Sequence, residues 1–387
     1  MLTRRSFLRS SSLLALAPTV PAFLARTAKA AGPDKDGRVL VVVQLDGGND
    51  ALNTLVPLGH AEYAKLRPRL KVTEKDTVKI ADGFGLHPQM RPLDKLIKAG
   101  QLCAMPGVGY PNPNRSHFES MAIWQTARTD PEEYKGYGWL GRALDLAGGD
   151  SYTITTDVPR TLRGRRSAAI ALTRLEDLTL ADAGTVRDAA GPEAQQDLLA
   201  FVRRHAVEGS NAAEKMAALS KGSDGAGYPG TGLADRLRLV SRLLKADLGT
   251  RVFYTTQGGY DTHATQQFTH ANLLNEFAGA VAAFFADLQT AKLADRVTLL
   301  AFSEFGRTIK ENGSAGTDHG TAGVVFLAGP HVKGGVTGTL PSLTDLDKGE
   351  PKMTTDFRRI YATLLADWLA VKGDVLGGTY EPLKLLV

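Results

Sequence analysis

One cysteine, Cys103, occurs in 387 residues. A disulfide within the chain is therefore excluded, and so is a zinc site built from several thiolates. A lasting excess of charge is also missing. The 46 Lys+Arg exceed the 41 Asp+Glu by five. Arg4, Arg5, Arg9, Arg26 and Lys29 supply that whole difference within residues 1–30, which hold no acid. The remainder is formally neutral, which excludes a general electrostatic binder of nucleic acid. Beyond residue 30 no run reaches about 18 consecutive apolar residues, so no stable membrane insertion is expected after processing. There is no Gly-x-Ser-x-Gly elbow around Ser116, no phosphate loop of the P-loop type and no dinucleotide glycine fingerprint; Gly47-Gly48 lacks the third glycine. What remains, 43% hydrophobic and 22% charged residues, is an ordinary globular composition.

The basic N-terminus reads as an address. Residues 3–8 are Thr-Arg-Arg-Ser-Phe-Leu, followed by a moderately apolar stretch from Leu13 to Leu24 that Pro18 and Pro21 interrupt. The stretch ends in Ala28-Lys29-Ala30, a small-residue cleavage site. This pattern predicts a twin-arginine signal peptide over residues 1–30, the twin-arginine export machinery as a partner, and a periplasmic or secreted location.

Residues 31–387 read as one α/β domain. Residues 38–45 (RVLVVVQL) form a continuous apolar run of the buried-strand kind. Further strands are expected at 102–108, 167–172, 251–256, 296–302 and 324–328. Helices are expected at 88–98, 117–127, from about 264 to 291, and at 355–371. The alternation predicts a doubly wound, mostly parallel sheet with helices on both faces. A largely helical insertion is expected at about 175–250, broken by a Ser/Gly-rich loop at 220–232 that could cover a site.

Three of the strands end in polar clusters: Asp46; Asp261 with His263; and Glu304 with Arg307. A fourth cluster, Asp318-His319, sits between glycines before the strand at 324. In an open α/β sheet ligands bind at the carboxyl ends of the strands. Carboxylates with neutral imidazoles suit a divalent ion such as Zn²⁺, Mn²⁺, Mg²⁺ or Ca²⁺, as one or two ions. Each cluster also has a plain reading: a turn with Asn49 or Asp50 as helix cap, a cap from 261–263, an ion pair between Glu304 and Arg307, and a turn at 318–319. Ser116 and Glu119 match a capping box. Ser116 is equally a candidate nucleophile at a helix N-terminus, where orphan N–H groups favour an anionic ester. Arg307 or Arg115 could clamp that anion. His60, His87, His205, His270 and His331 read as surface or core residues, with His87 lying nearest the expected crest.

The motifs LDGGND (45–50) with Leu52-Asn53, RSHF (115–118), GGYDTH (258–263), SEFGRT (303–308) and GTDHGTAG (316–323), after the twin-arginine start, resemble the exported bacterial family known as domain of unknown function 1501. The resemblance runs from about residue 38 to the C-terminus. That family is similar in fold to the alkaline phosphatase and sulfatase superfamily. The resemblance implies an alkaline phosphatase-like sheet with a metal site on its crest. In that order Asp46 stands as first-strand ligand and Ser116 at the nucleophile position. Asp261 with His263, then Glu304, then His319, follow as ligands. Phe305 departs from the superfamily pattern, which has an imidazole there, so a full two-zinc site is in doubt; ligation by Asp318 is an alternative. The formylglycine sulfatase signature is absent around Ser116.

The function expected is an exported metal-dependent hydrolase of phosphate or sulfate esters, with Ser116 or a water as nucleophile and a small anionic ester or glycan as substrate. The alternatives are a non-catalytic metal- or glycan-binding protein on the same fold, and a phosphoryl or sulfuryl transferase using the same site.

Overall fold

The structure, a computed structural model, describes residues 37–167, 169–173 and 227–387. The signal segment 1–30 lies outside the described residues, as do most of the insertion expected at 175–250 and most of the loop at 220–232.

The centre is a nine-stranded sheet. Its strands are β1 (Val39–Leu45), β2 (Leu102–Gly109), β3 (Asp150–Thr153), β4 (Ala169–Ala171), β5 (Thr250–Gln257), β6 (Val297–Phe302), β7 (Gly323–Ala328), β8 (Gly335–Val336) and β9 (Thr355–Asp356). Their spatial order is β8-β2-β7-β6-β1-β5-β3-β4, with β9 also paired to β2. β1 sits centrally, parallel to β5 and β6. All seven of its residues are buried, which is why its apolar run shows no alternation. Successive side chains of β1 enter different cores. Val39, Val41, Val43 and Leu45 pack on one face of the sheet, Leu40 and Val42 on the other.

Helices cover both faces. On the first lie α3 (Gly232–Ala246) and the 25-residue α4 (Gln266–Thr290), with Leu274, Phe277, Val281, Phe284 and Leu288 turned inward. On the second lie α1 (His117–Thr126), α2 (Trp139–Ala147) and α5 (Phe357–Thr363). There Trp124 stacks on Phe302 and Phe357, and Trp139 on Tyr361. The expected mostly parallel sheet with helices on both faces is therefore present.

Two local expectations change. Residues 88–98 are not one α-helix. A 3₁₀ segment, Pro88–Leu93, gives way to a short α-turn, Asp94–Lys98, because Pro92 supplies no backbone N–H inside the helix. The 355–371 helix is α5 followed by a π-helical turn, Leu364–Trp368. One strand also runs against the rest: β7 is antiparallel to both β2 and β6. No helix separates β6 from β7, so the chain turns back at the same edge of the sheet. This reversal places the start of β7 beside the carboxyl ends of β1, β5 and β6, and joins the fourth polar cluster to the other three.

Candidate metal centre

Four polar segments meet on that edge, the last two being the halves of the single β6–β7 connection. The turn after β1 is Asp46-Gly47-Gly48-Asn49-Asp50. Asp46 N–H donates to Gln257 O, and Tyr260 N–H donates back to Asp46 O, so this turn is stitched to the loop after β5. Gly47 has φ +115°, and a Cβ there would stand 2.5 Å from the Asp261 backbone nitrogen. Only glycine permits the two loops to approach so closely. The loop after β6 pairs with the loop before β7: Thr308 N–H donates to Asp318 O and Gly320 N–H to Gly306 O.

Three histidines converge on Asp261. His263 Nε2 lies 2.9 Å from Asp261 Oδ1, and His319 Nε2 lies 3.2 Å from the same oxygen. The two Nε2 atoms are 3.0 Å apart. The third ring, His117, has Nε2 3.5 Å from Asp261 Oδ2, and its centroid is 4.3 Å from that of His319.

The other nitrogen of each ring has an oxygen partner. His319 Nδ1 is 2.8 Å from the carbonyl oxygen of Arg115, His263 Nδ1 is 2.8 Å from Asp318 Oδ1, and His117 Nδ1 is 2.7 Å from Glu304 Oε1. A carbonyl oxygen only accepts, so His319 Nδ1 carries the hydrogen. The hydrogen bond from His263 holds the Asp318 carboxyl below its usual range, so Asp318 is ionised and accepts as well. Nε2 of a neutral imidazole held this way is a lone pair. Three lone-pair atoms, His263 Nε2, His319 Nε2 and Asp261 Oδ1, then stand 2.9–3.2 Å apart. One added proton would still leave at least one acceptor facing another. His117 Nε2 is buried and has no hydrogen-bond partner among the described residues.

Around this group the charges are fixed by neighbours. Burial opposes ionisation of Asp261, but the Arg307 guanidinium, hydrogen-bonded to Oδ1, outweighs it and leads in bringing Asp261 down to about 2. The hydrogen bond to Glu304 raises the pKa of His117. Glu304 is 1% exposed; its Oε1 also accepts from Gly47 N–H at 2.9 Å, and its Oε2 from the Ser303 hydroxyl at 2.9 Å. Burial, then the neighbouring Glu304, raises the pKa of Asp46.

Not every residue singled out in the sequence stands in the same shell. Asp261, His263 and His319 are together. Glu304 and Asp318 sit one layer out, each gripping the Nδ1 of a histidine. Asp46 hydrogen-bonds Gln44 and makes no hydrogen bond to the imidazoles, although it faces the same cavity. Arg307 has a buried side chain. It donates to Gly48 O at 2.7 Å, Thr317 O at 3.2 Å, Tyr260 O at 3.1 Å, Gly47 O, and Asp261 Oδ1 at 2.5 Å. It ties the loops together, and those bonds turn its fork away from the role of anion clamp. Ser116 precedes α1, but its exposed side chain makes no cap hydrogen bond, and Glu119 is bound by Asn114 instead of closing the capping box. Its hydroxyl does not line the cavity.

The residue that sequence reasoning passed over is His117. It stood inside an apparent capping box, and that reading absorbed it. Its signal was the missing imidazole at position 305: Phe305 packs against both His117 and His319, at 4.9 and 5.0 Å, and His117 supplies an imidazole from another element.

A cavity of about 630 Å³ opens beside the cluster, lined by Asp46, His117, Asp261 and Glu304 together with Phe118, Met121, Gln125, Arg160 and Arg163.

No curated protein matches the sequence. Among solved structures, the chain is similar to a sulfatase, PsFucS1, from Pseudoalteromonas sp., at 10% identity, 94% of this chain and 74% of the other, with a TM-score of 0.40. It is similar to the C-terminal periplasmic domain of EcEptC from Escherichia coli, in complex with Zn, at 10% identity, 75% and 72% coverage, and TM-score 0.38. It is also similar to a phosphonate monoester hydrolase of Agrobacterium radiobacter at 11% identity, 89% and 78% coverage, and TM-score 0.37. Likeness at these scores carries no argument about ligand or reaction. The model of the family described as a protein of unknown function, DUF1501, matches residues 38–371, and the chain belongs to that family.

Proposed function

We propose that this protein is an exported, metal-dependent hydrolase of phosphate or sulfate esters. The observation that carries the reading is the convergence of three ligand atoms, His263 Nε2, His319 Nε2 and Asp261 Oδ1, 2.9–3.2 Å apart; with both imidazoles neutral, each presents a lone pair to the other two. That arrangement costs energy without a cation and is satisfied by one. Ligands about 2.0–2.1 Å from a tetrahedral zinc ion stand about 3.3 Å from each other, close to these spacings. The residues that would hold the ion are Asp261, His263, His319 and, through its unpartnered Nε2, His117. Imidazole-rich ligation favours zinc over magnesium and calcium; manganese, which prefers oxygen ligands, ranks behind zinc.

A bound divalent ion supplies a Lewis acid for the ester oxygen and lowers the pKa of a water. The protein's own groups do the rest. Asp318, Glu304 and the Arg115 carbonyl each hold one imidazole in the tautomer that presents Nε2 inward, as outer partners of metal-binding histidines do. Arg307 keeps Asp261 ionised and binds the loops after β1 and β5 to the loop before β7. Asp46 lines the same cavity, and its burial beside Glu304 favours the protonated form, so it is placed to hold a proton during the reaction. A water suits the nucleophile's role better than Ser116, whose hydroxyl faces solvent outside the cavity. Export by the twin-arginine route accords with residues 1–30.

The test is a panel of aryl phosphates, phosphodiesters and aryl sulfates, with zinc or manganese supplied. Turnover is expected for at least one class, with a loss of about a hundredfold or more in Asp261→Asn, whose melting temperature should match that of chelator-treated wild type. A metal-loaded protein inert on the whole panel would refute the hydrolase and leave the binding-protein reading.

A further inference from the structure

We propose that Arg160 and Arg163 form an anion subsite beside the metal centre, and that the substrate is an ester carrying a second anionic group. The inference rests on the hydrolase reading and narrows its substrate class.

Both arginines line the same 630 Å³ cavity as His117 and Asp261. Neither forms an ion pair among the described residues. Arg160 donates through Nη1 to the Tyr134 carbonyl at 2.6 Å, and Arg163 donates through Nε and Nη2 to the Val158 carbonyl at 3.2 and 3.0 Å. The remaining N–H groups, Nε and Nη2 of Arg160 and Nη1 of Arg163, have no protein acceptor there. A guanidinium with a free edge in a cavity binds planar or tetrahedral oxyanions in bidentate fashion. The carboxylates that line the same cavity are Asp46, Asp261 and Glu304. A second anionic group would be repelled by them, so the arginines are the one place in the cavity that favours it.

The loop that carries the arginines is held by two separate devices. First, α2 presents glycines to it. A Cβ at Gly138 would stand 2.1 Å from Arg160 O, and one at Gly141 would stand 2.3 Å from Arg163 O. Second, the Asp145 carboxylate accepts three backbone N–H groups, from Arg165, Arg166 and Ser167, at 2.5–2.7 Å. Three such donors hold a carboxylate ionised, and burial does not overcome them here: the Asp145 pKa is lowered. The loop is thus fixed against α2, and its two cavity arginines are placed before any ligand arrives. Phe118, almost fully exposed at 90%, also lines the cavity and offers an aromatic face to the body of the ester.

The experiment measures binding to the mature protein by titration calorimetry, without requiring turnover. The probes are inorganic phosphate, glucose 1,6-bisphosphate and a disulfated disaccharide. The wild type should bind at least one of the probes with two anionic groups more than tenfold tighter than inorganic phosphate. In Arg160→Gln/Arg163→Gln that preference should disappear while phosphate binding is retained. Arg165→Gln/Arg166→Gln removes the same charge from exposed side chains outside the cavity and should leave the preference intact. Those two probes distinguish phosphate from sulfate as the second group. Equal affinity for inorganic phosphate and for the probes with two anionic groups, or an equal effect of the two double variants, would overturn the proposal. An arginine-dependent preference without hydrolysis of any ester would retain this subsite and reject the hydrolase. Hydrolysis without arginine dependence would do the reverse.

Discussion

The carbonyl oxygen of Arg115 accepts a hydrogen bond and cannot donate one, and this fixes which nitrogen of His319 points at Asp261. Glu304 and Asp318 do the same for His117 and His263. These two acids were legible in the sequence as members of the site, yet a strand-end position does not say whether a carboxylate meets a metal or the far side of an imidazole. Glu304→Gln and Asp318→Asn should therefore lower metal affinity by about ten- to a hundredfold without abolishing it, read by competition with a chelating dye. Away from the site, Glu350 gives a test of stability against pH. It is buried, its Oε2 has no partner among the described residues, and burial pushes its pKa up to about 7. The folded state then binds more protons than the unfolded state between the ordinary glutamate value and about pH 7, so stability falls as pH rises through that window. Glu350→Gln should stabilise the protein above pH 7, by up to about 3 kcal/mol, and the two melting curves should converge at pH 4.

At the scale of elements, the site depends on how near the loops can come. Gly47→Ala would place a methyl against the Asp261 backbone from a left-handed φ, so it should cost metal affinity more than tenfold. Gly258→Ala, with nothing within 4 Å of its Cβ, should not; isothermal titration of both variants with zinc gives the comparison. Arg67 joins elements of a different kind. Its fully buried side chain pairs with Asp50 at 2.5 Å and donates to the carbonyls of Thr308 and Ile309. Arg67→Met leaves an unpaired buried carboxylate and should cost roughly 3–5 kcal/mol in urea unfolding at pH 7. None of these long-range bonds is visible in sequence, because residues 67 and 309 lie in separate, individually unremarkable stretches. The strands themselves were legible, since a run such as Val39–Leu45 buried on both faces has no polar interruption. The direction of β7 was not read. The signal was the lack of a helix between Phe302 and Gly323, which rules out the usual parallel crossover.

For the whole molecule, a central sheet with two helical layers brings four polar clusters, carried by three connections far apart in the chain, to one edge. Their polar clusters could be named from sequence because strand ends are recognisable and α/β sheets bind ligands there. Which side chains meet could not, and His117 shows why: it reaches the group from the start of α1, a helix whose opening also satisfied a cap motif. Among the described residues no helix is long and apolar enough to cross a membrane. An ion that bound only the folded arrangement would add stability by mass action, so chelator should lower the melting temperature of wild type and leave Asp261→Asn unaffected. The most direct measurement is the metal content of the mature protein purified without added metal or chelator, beside His263→Ala and His319→Ala. The account predicts a stoichiometric divalent ion, zinc or manganese, in the wild type and its loss in both variants. A metal-free wild type that takes up neither ion when they are supplied would contradict it.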